Sequence, residues 1–503
     1  MSQAASSDPT LAERVYEVAV RTPLEFAPTL SARTGNRVWL KREDQQPVYS
    51  FKLRGAYAMM ASLSAEELGR GVVAASAGNH AQGVALAARR LGTTATIVVP
   101  NTAPPIKIAA IRGHGATVVV AGDTYDDAFA RAKEIEVAEG RVFVPPFDHP
   151  LVIAGQGTVG EEIAREAEGL DAVFVAVGGG GLIAGVGEAL ERLRPDVRLI
   201  GVEPETSDAM TRSLAAGERV TLPRVGTFAD GVAVKTVGQH TFRIAQRVVD
   251  EMILVSDDEI CGAIKEIFED RRAILEPAGA LAYAGLKKWA AREGAQGLDL
   301  VAIACGANLN FDRLGTIAER AEIGEGHEAL LAVRIPERPG AFRSLCRTLG
   351  DRPVTEFNYR MGDRDRAIVF VGVRVTDRAE REGMIAALEA GDYATLDLTG
   401  DETAKVHLRH MVGGRSDLPR DERLFAFDFP ERPGALAGFL DRLAGRWNIS
   451  LFHYRNHGAE TGRVLVGFEV PPATDEEFER FRTATGYDSV ERTAHPAAAL
   501  FLR

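Results

Sequence analysis

The sequence predicts an α/β protein that continues into a duplicated α+β module. Three observations carry this. From about Gly71 to Gly306, short β-branched runs that are apolar on both faces alternate with helical patterns, as parallel strands buried between helices do. Several of those runs end in glycine or in a small polar loop, which is where such sheets bind ligands. Beyond about Arg313 the character changes, and one phrase occurs twice.

Met1 to Thr10 is small, polar and poor in positive charge. It is expected to be a frayed tail rather than a signal or transit peptide. Val38-Trp39-Leu40-Lys41-Arg42-Glu43-Asp44 then runs from apolar to polar and leads to Ser50-Phe51-Lys52-Leu53-Arg54-Gly55-Ala56. A lysine among small, aromatic and glycine neighbours is a poor pattern for solvated surface. It suits an amine beside a flat ligand, although a surface lysine shifts its pKa only if buried. Expected strands follow at Gly71–Ala75, Ala95–Pro100, Ala116–Val120, Ala172–Val177, Arg198–Val202 and Leu300–Ala304.

The first of these strands ends in Ser76-Ala77-Gly78-Asn79-His80-Ala81-Gln82-Gly83. Small residues let a backbone approach a ligand, and the free N–H groups of a helix start favour an anion such as a carboxylate. The same segment also reads as a simple capped turn. Gly178-Gly179-Gly180-Gly181 lies between Val173–Val177 and Leu182–Val186. Strand, glycine loop and helix start together make a phosphate cradle. Gly179 to Ala184 also satisfies G-x-G-x-x-A, and Glu203 ends the next strand at about the distance of a ribose ligand, so an NAD-dependent oxidoreductase is an alternative reading. That reading leaves Lys52 unused. A phosphate cradle, an anion loop and an amine together fit pyridoxal phosphate better: Lys52 for its aldehyde, the glycines for its phosphate, and Ser76 to His80 for an amino-acid carboxylate. Ala304-Cys305-Gly306-Ala307-Asn308 closes a later strand, where a cysteine is by default a core residue.

In the distal part, Ile323-Gly324-Glu325-Gly326-His327 reads as a linker. Ile335-Pro336-Glu337-Arg338-Pro339-Gly340-Ala341-Phe342 recurs as Phe429-Pro430-Glu431-Arg432-Pro433-Gly434-Ala435-Leu436. Phe357-Asn358-Tyr359-Arg360 recurs as Phe452-His453-Tyr454-Arg455, and Val369–Val373 as Val464–Phe468. Each half is predicted to run strand, helix, strand, strand, helix, strand, a ferredoxin-like order.

Composition bounds the rest. With 503 residues, 46% apolar and 26% charged, the chain is expected to form two to four globular domains. A net charge of -12 argues against nucleic-acid and anionic-membrane partners. Cys261, Cys305 and Cys346 are too sparse for a disulfide framework and fit a reducing cytosol. Neither they nor the ten histidines show zinc spacing, so no structural zinc is expected and no metal ligand is assigned.

These motifs, in this order, resemble the threonine ammonia-lyase (threonine deaminase) family of tryptophan-synthase-β-like, fold type II pyridoxal-phosphate enzymes. Ala229-Asp230-Gly231-Val232, Glu276-Pro277-Ala278-Gly279-Ala280 and Lys405–Gly414 add to the resemblance, which runs from about Val15 to Arg503. It implies a two-lobed catalytic domain over 1–322 with a small lobe at about 52–160, a linker at 323–328, and ACT-like regulatory subdomains at 329–418 and 419–503. It implies that Lys52 holds the cofactor and moves the Cα proton. Phe51 then packs near the ring, Asn79 hydrogen-bonds its 3′-oxygen, Gly178, Gly179, Gly180 and Gly181 bind its phosphate, Gly231 lies near its face, and Cys305 faces its pyridine nitrogen. The resemblance further implies deamination of L-threonine to 2-oxobutanoate and ammonia in isoleucine biosynthesis, with L-serine a second substrate. Inhibition by isoleucine, opposition by valine and a cytoplasmic homotetramer belong to the same picture. Tyr359 with Arg360, and Tyr454 with Arg455, are the candidate effector residues; a core role for both tyrosines is the alternative. Racemases of this fold carry a serine before Gly-Asn-His, where this chain has Ala77. Ala77 therefore supports elimination without racemisation; a serine racemase or dehydratase is the alternative, as is an amino-acid-binding regulator with an inactive catalytic half. A cation site near Glu203, as some relatives have, stays open.

Overall fold

The computed structural model describes residues 14–430, 435–455, 461–496, 498 and 502. Pro433, Gly434 and the side chain of Arg455 lie outside the described residues. The chain divides into two compact units, Met1–Gly324 and Glu325–Arg503.

The first unit holds two sheets. In one, six strands run in the order Leu24–Phe26, Arg37–Lys41, Asp299–Ile303, Ala172–Ala176, Arg198–Pro204, Glu251–Val255. All neighbours are parallel except the first pair. The other sheet is parallel throughout, in the order Thr117–Val120, Ala95–Val99, Val72–Ala75, Val142–Phe143. Ala172–Ala176, Val72–Ala75 and Ala95–Val99 are buried at every position. This is why their sequences show no polar alternation. Three helices start on sequence-encoded caps: Ser64 with Glu67, Thr124 with Asp127 and Ser256 with Glu259 form capping boxes.

Three helices position the site. Lys52–Met60, Pro150–Glu166 and Gly181–Leu193 meet at backbone distance through glycines. A Cβ on Gly155 would lie 2.6 Å from the Arg54 carbonyl oxygen, and one on Gly185 would lie 2.3 Å from that of Ile153. Larger residues would therefore drive Lys52 away from the glycine loop. Beneath the first of these helices, Arg54 reaches Glu43 and Glu162 at 2.7 Å each, and Lys41 reaches Glu162 at 2.8 Å, all four side chains fully buried. Two cations facing two carboxylates satisfy each other where water cannot.

The second unit is one eight-stranded antiparallel sheet. Its first half runs Glu328–Pro336, helix Ala341–Leu349, Val354–Arg360, Arg366–Arg374, helix Arg378–Ala390, Thr395–Asp397; its second runs Glu422–Pro430, helix Ala435–Leu443, Asn448–Arg455, Thr461–Glu469, helix Asp475–Ala484, Ser489–Glu491. The order is the one the repeat predicts. The halves join along Val354–Arg360 and Asn448–Arg455, with Phe357 opposite Tyr454, Asn358 opposite His453 and Tyr359 opposite Phe452. Repeat-equivalent residues thus exchange places about the Asn358–His453 pair. At the boundary of the units, a helix ends at Gly324 and a strand starts at Glu328. Among the described residues no helix is long and apolar enough to cross a membrane.

Candidate active site

Three strand ends of the first unit supply the predicted motifs. Val72–Ala75 leads to Ser76–His80, Ala172–Ala176 to Gly178–Gly181, and Asp299–Ile303 to Cys305. Lys52 opens its helix just after Tyr49, which takes a left-handed conformation (φ 55°) and so ends the preceding chain in a tight turn. The Tyr49 carbonyl accepts the Ala307 N–H at 2.9 Å, and the Cys305 carbonyl accepts the Phe51 N–H at 3.3 Å. The lysine segment is thereby hydrogen-bonded to the Cys305 segment. The Lys52 Nζ donates to the Pro146 carbonyl at 3.0 Å and lies 5.2 Å from the Phe51 ring centre. Burial pulls this amine down to about 8, while Cys305 and Glu276 oppose the shift.

The glycine loop turns where only glycine is at ease. Gly180 has φ +92° and opens the helix Gly181–Leu193. A Cβ at Gly179 would lie 2.3 Å from the Phe147 ring, and one at Gly178 2.9 Å from the Val232 backbone. Thr241 donates its hydroxyl to the Gly179 carbonyl at 2.7 Å and braces the loop. The loop's helix start is a natural anion site. Gly231 sits in a short turn, where a Cβ would lie 3.7 Å from the Glu276 carboxylate.

Ser76 turns its hydroxyl back to accept the Gly78 N–H at 3.2 Å. Ala77 carries no polar group, and Asn79 begins the helix Asn79–Leu91. The His80 ring is buried away from this loop, its Nε2 at 2.9 Å from the Val144 carbonyl. Burial, then the nearby Lys52 charge, pushes it down to about 3, so the ring is neutral and Nε2 carries the proton. His80 therefore offers the loop its backbone and not its ring. Cys305 donates its thiol to the Ala278 carbonyl at 3.2 Å. Burial pushes this thiol up, so it is a thiol and not a thiolate at neutral pH.

Sequence reasoning gave no role to two residues that the structure places here. The Glu276 carboxylate accepts the Asn79 amide at 2.6 Å, and Asn308 donates to the Asn79 oxygen at 2.7 Å. Both belong to quoted motifs, but a glutamate before a proline-led helix reads as a helix start, and an asparagine after a strand reads as a turn. Glu203, the ribose candidate of the dinucleotide reading, is fully engaged elsewhere. Its oxygens accept the Met210 and Thr211 N–H groups, both at 2.8 Å, and cap the helix Ala209–Ala216. In the second unit, Tyr359 is 1% exposed, with its ring edge-on to Phe342 at 4.9 Å and its hydroxyl on Glu337. Arg360 pairs with Glu422 at 2.5 Å, and Tyr454 is buried in the same core as Tyr359.

The residues present fit pyridoxal phosphate. The glycine loop suits its phosphate, the Lys52 amine is lowered towards neutrality, and the Ser50 hydroxyl beside Lys52 is buried with no hydrogen-bond partner among the described residues.

Comparison with known proteins agrees with this geometry. Residues 15–306 match the family model described as pyridoxal-phosphate dependent enzyme. Residues 319–408 and 413–502 each match that of the C-terminal regulatory domain of threonine dehydratase. The chain is 54% identical over 496 residues to the biosynthetic L-threonine dehydratase of Burkholderia multivorans, covering 98% of each. The processed form of threonine deaminase isoform 2 from Solanum lycopersicum superposes with a TM-score of 0.61 at 50% identity, over 61% of this chain and 85% of that one. Maize serine racemase superposes with a TM-score of 0.58 at 31% identity, over 61% of this chain and 94% of that one. The chain belongs to the pyridoxal-phosphate-dependent enzymes of fold type II, in the branch that carries the regulatory domain of threonine dehydratase.

Proposed function

We propose that this protein deaminates L-threonine to 2-oxobutanoate and ammonia, as the feedback-controlled first step towards isoleucine, and that it also accepts L-serine. The observation that carries the chemistry is Lys52, a desolvated amine pulled down to about 8 and held on the Pro146 carbonyl, with Cys305 and Glu276 close enough to act on its charge. Pyridoxal phosphate supplies, when bound, a ring that takes up the electron pair left at Cα. Lys52 would hold the cofactor and, as a free amine pulled down to about 8, would accept the Cα proton of the substrate. Gly178 to Gly181 hold the phosphate, and the Ser76–His80 backbone holds the substrate carboxylate. The net reaction is balanced, because the water lost with the β-hydroxyl returns when the released enamine hydrolyses. Cys305, as a neutral thiol, leaves the ring a weaker electron sink than a carboxylate would, which favours β-elimination over long-lived carbanion chemistry. Ala77 leaves the opposite ring face without a second acid, so racemisation is disfavoured although a racemase shares the fold.

The repeated domain supplies control in this reading: isoleucine binding inhibits and valine opposes it. Tyr359, Arg360, Tyr454 and Arg455 lie on the strand pair that joins the two halves. We assign the effector response to this strand pair, and a homotetramer in the cytoplasm to the working enzyme. The test is 2-oxobutanoate formation from L-threonine, titrated with and without isoleucine. Turnover suppressed by isoleucine, with a sigmoidal threonine curve, supports both parts. Turnover indifferent to isoleucine removes the effector assignment. No turnover in protein loaded with pyridoxal phosphate removes the substrate assignment.

A further inference from the structure

A chain of hydrogen bonds beginning at a backbone carbonyl fixes the orientation of Asn79. The Val48 carbonyl can only accept, so the Asn308 atom 2.8 Å from it is the amide nitrogen. That nitrogen also donates to Asn79 at 2.7 Å, which makes the receiving atom the Asn79 oxygen. The Asn79 nitrogen therefore faces Glu276, at 2.6 Å. One of its two N–H groups goes to the carboxylate, and the other is left for the site.

We propose that Glu276 is a positioning residue for the cofactor: it holds Asn79 turned so that the remaining N–H is offered to the acceptor oxygen on the ring. The carboxylate is built in closely. It is buried, and a Cβ on Gly306 would lie 2.4 Å from its Oε1. It also accepts the backbone N–H of Asn308. It thus acts as a charged acceptor for two donors, a stronger hold than a neutral amide oxygen gives. Asp230 adds a like charge and Lys107 an opposite one, while Lys52 and Cys305 face it from the other side. Burial, then Asp230, raises Glu276 to about 7, so its hold on Asn79 weakens as the pH falls through neutrality.

The inference rests on the family's cofactor and not on the substrate proposed above, so it is tested by cofactor binding. Apoprotein of the full chain is titrated with pyridoxal phosphate, and affinity and the visible absorption maximum are read for four proteins. Loss of one buried partner is worth roughly tenfold. Glu276→Ala and Asn79→Ala should each weaken binding about tenfold and shift the absorption maximum. The double variant should bind no more weakly than Asn79→Ala alone, because Glu276 acts through Asn79. Losses that multiply, or a Glu276→Ala protein with wild-type affinity and spectrum, overturn the proposal. If Glu276→Ala does not fold, Glu276→Gln decides. It keeps an acceptor oxygen for the Asn79 amide but has neither the charge nor a titrating proton, so it should bind the cofactor several-fold more weakly and lose the pH dependence of the spectrum near 7. Unchanged affinity and an unchanged pH profile refute the assignment. A protein without threonine turnover but with the expected affinities keeps this inference and loses only the substrate reading.

Discussion

The two units use their sheets in opposite ways. In the first, parallel strands end together, and the functional candidates sit past those ends, at Ser76–His80, Gly178–Gly181 and Cys305. In the second, the strands are antiparallel, and the candidates Tyr359, Arg360 and Tyr454 lie within the pleat. Residues past a strand end are free of packing duties and keep a recognisable motif. Residues within a strand alternate between faces. Tyr359 goes to the core beside Phe342, whereas its neighbour Arg360 goes to Glu422. An aromatic and a cation adjacent in sequence are therefore not adjacent in space, and a single pocket using both would need the strand pair to move.

The largest effect that would sharpen this contrast is at Lys52. Lys52→Ala should lower turnover by at least about three orders of magnitude and remove the cofactor's visible band. A coloured, active variant would sink the assignment. No substitution in the second unit should approach that loss of basal turnover, since that unit carries no reacting group in the proposed chemistry.

Next comes the buried charge network. Arg54→Met leaves Glu43 with only neutral donors, Thr22 and Gln46, and Glu162 with Lys41 and the Tyr16 hydroxyl. Stripping one partner from such a cluster costs about 3–5 kcal/mol. The urea midpoint for hydrogen exchange in the helix Lys52–Met60 should fall accordingly, while the second unit keeps its protection. Arg360→Met should cost less, about 1–3 kcal/mol, because it strips one carboxylate, Glu422, where Arg54→Met strips two. A wild-type midpoint for Arg54→Met would show that the network is neutral.

The effector assignment is smaller in free energy. A Tyr359→Ala, Tyr454→Ala protein that remains folded should lose isoleucine inhibition, a coupling of about 1–3 kcal/mol, with basal turnover retained. Inhibition that survives in both curve shape and midpoint would move the effector site off this strand pair.

What the sequence shows and hides follows the same division. The six strands expected between Gly71 and Ala304 are present, since each is an apolar run too short for a helix. Arg37–Lys41 and Glu251–Val255 were not recognised as strands, because charged residues at their ends break the apolar run. The distribution of strands over two sheets was implied by the family resemblance alone, because pairing is a long-range choice that local pattern does not encode. In the site, glycine and lysine motifs were legible because few residue types can do their work. Glu276 and Asn308 were not, because their roles arise from contacts across 197 and 229 positions with Asn79. The regulatory repeat was legible as a repeat, and its strand order followed. The face to which each tyrosine points was not, because that depends on register.

The smallest expected effect concerns pH. Burial raises Glu203 from 4.5 to about 7, against its hydrogen bonds from Thr211 and Met210. In the unfolded chain this carboxyl titrates near 4.5, so between about 4.5 and 7 the native state binds the extra proton. Native stability from this group is therefore full below about 4.5 and declines as pH rises to about 7. Glu276 acts in the same direction and window. Glu337 in the second unit is also raised by burial, but it is half-exposed, so water screens its contribution. His80, held down to about 3, acts in the opposite sense over part of this window and adds stability as pH rises to about 6.5, so the carboxyl contribution of Glu203 is read as a difference between variant and wild type. Glu203→Gln should therefore make the first unit's stability fall less, or rise more, between pH 5 and 7 than it does in the wild type, since Glu276 alone then opposes His80. It should also lower stability at pH 5 by about 1 kcal/mol, because the glutamine amide meets the Thr211 N–H donor to donor. Hydrogen exchange in each unit across this pH range reads the effect. A slope unchanged by Glu203→Gln would mean that this carboxyl titrates in the native state as it does in water, and that burial at the end of its strand does not raise it.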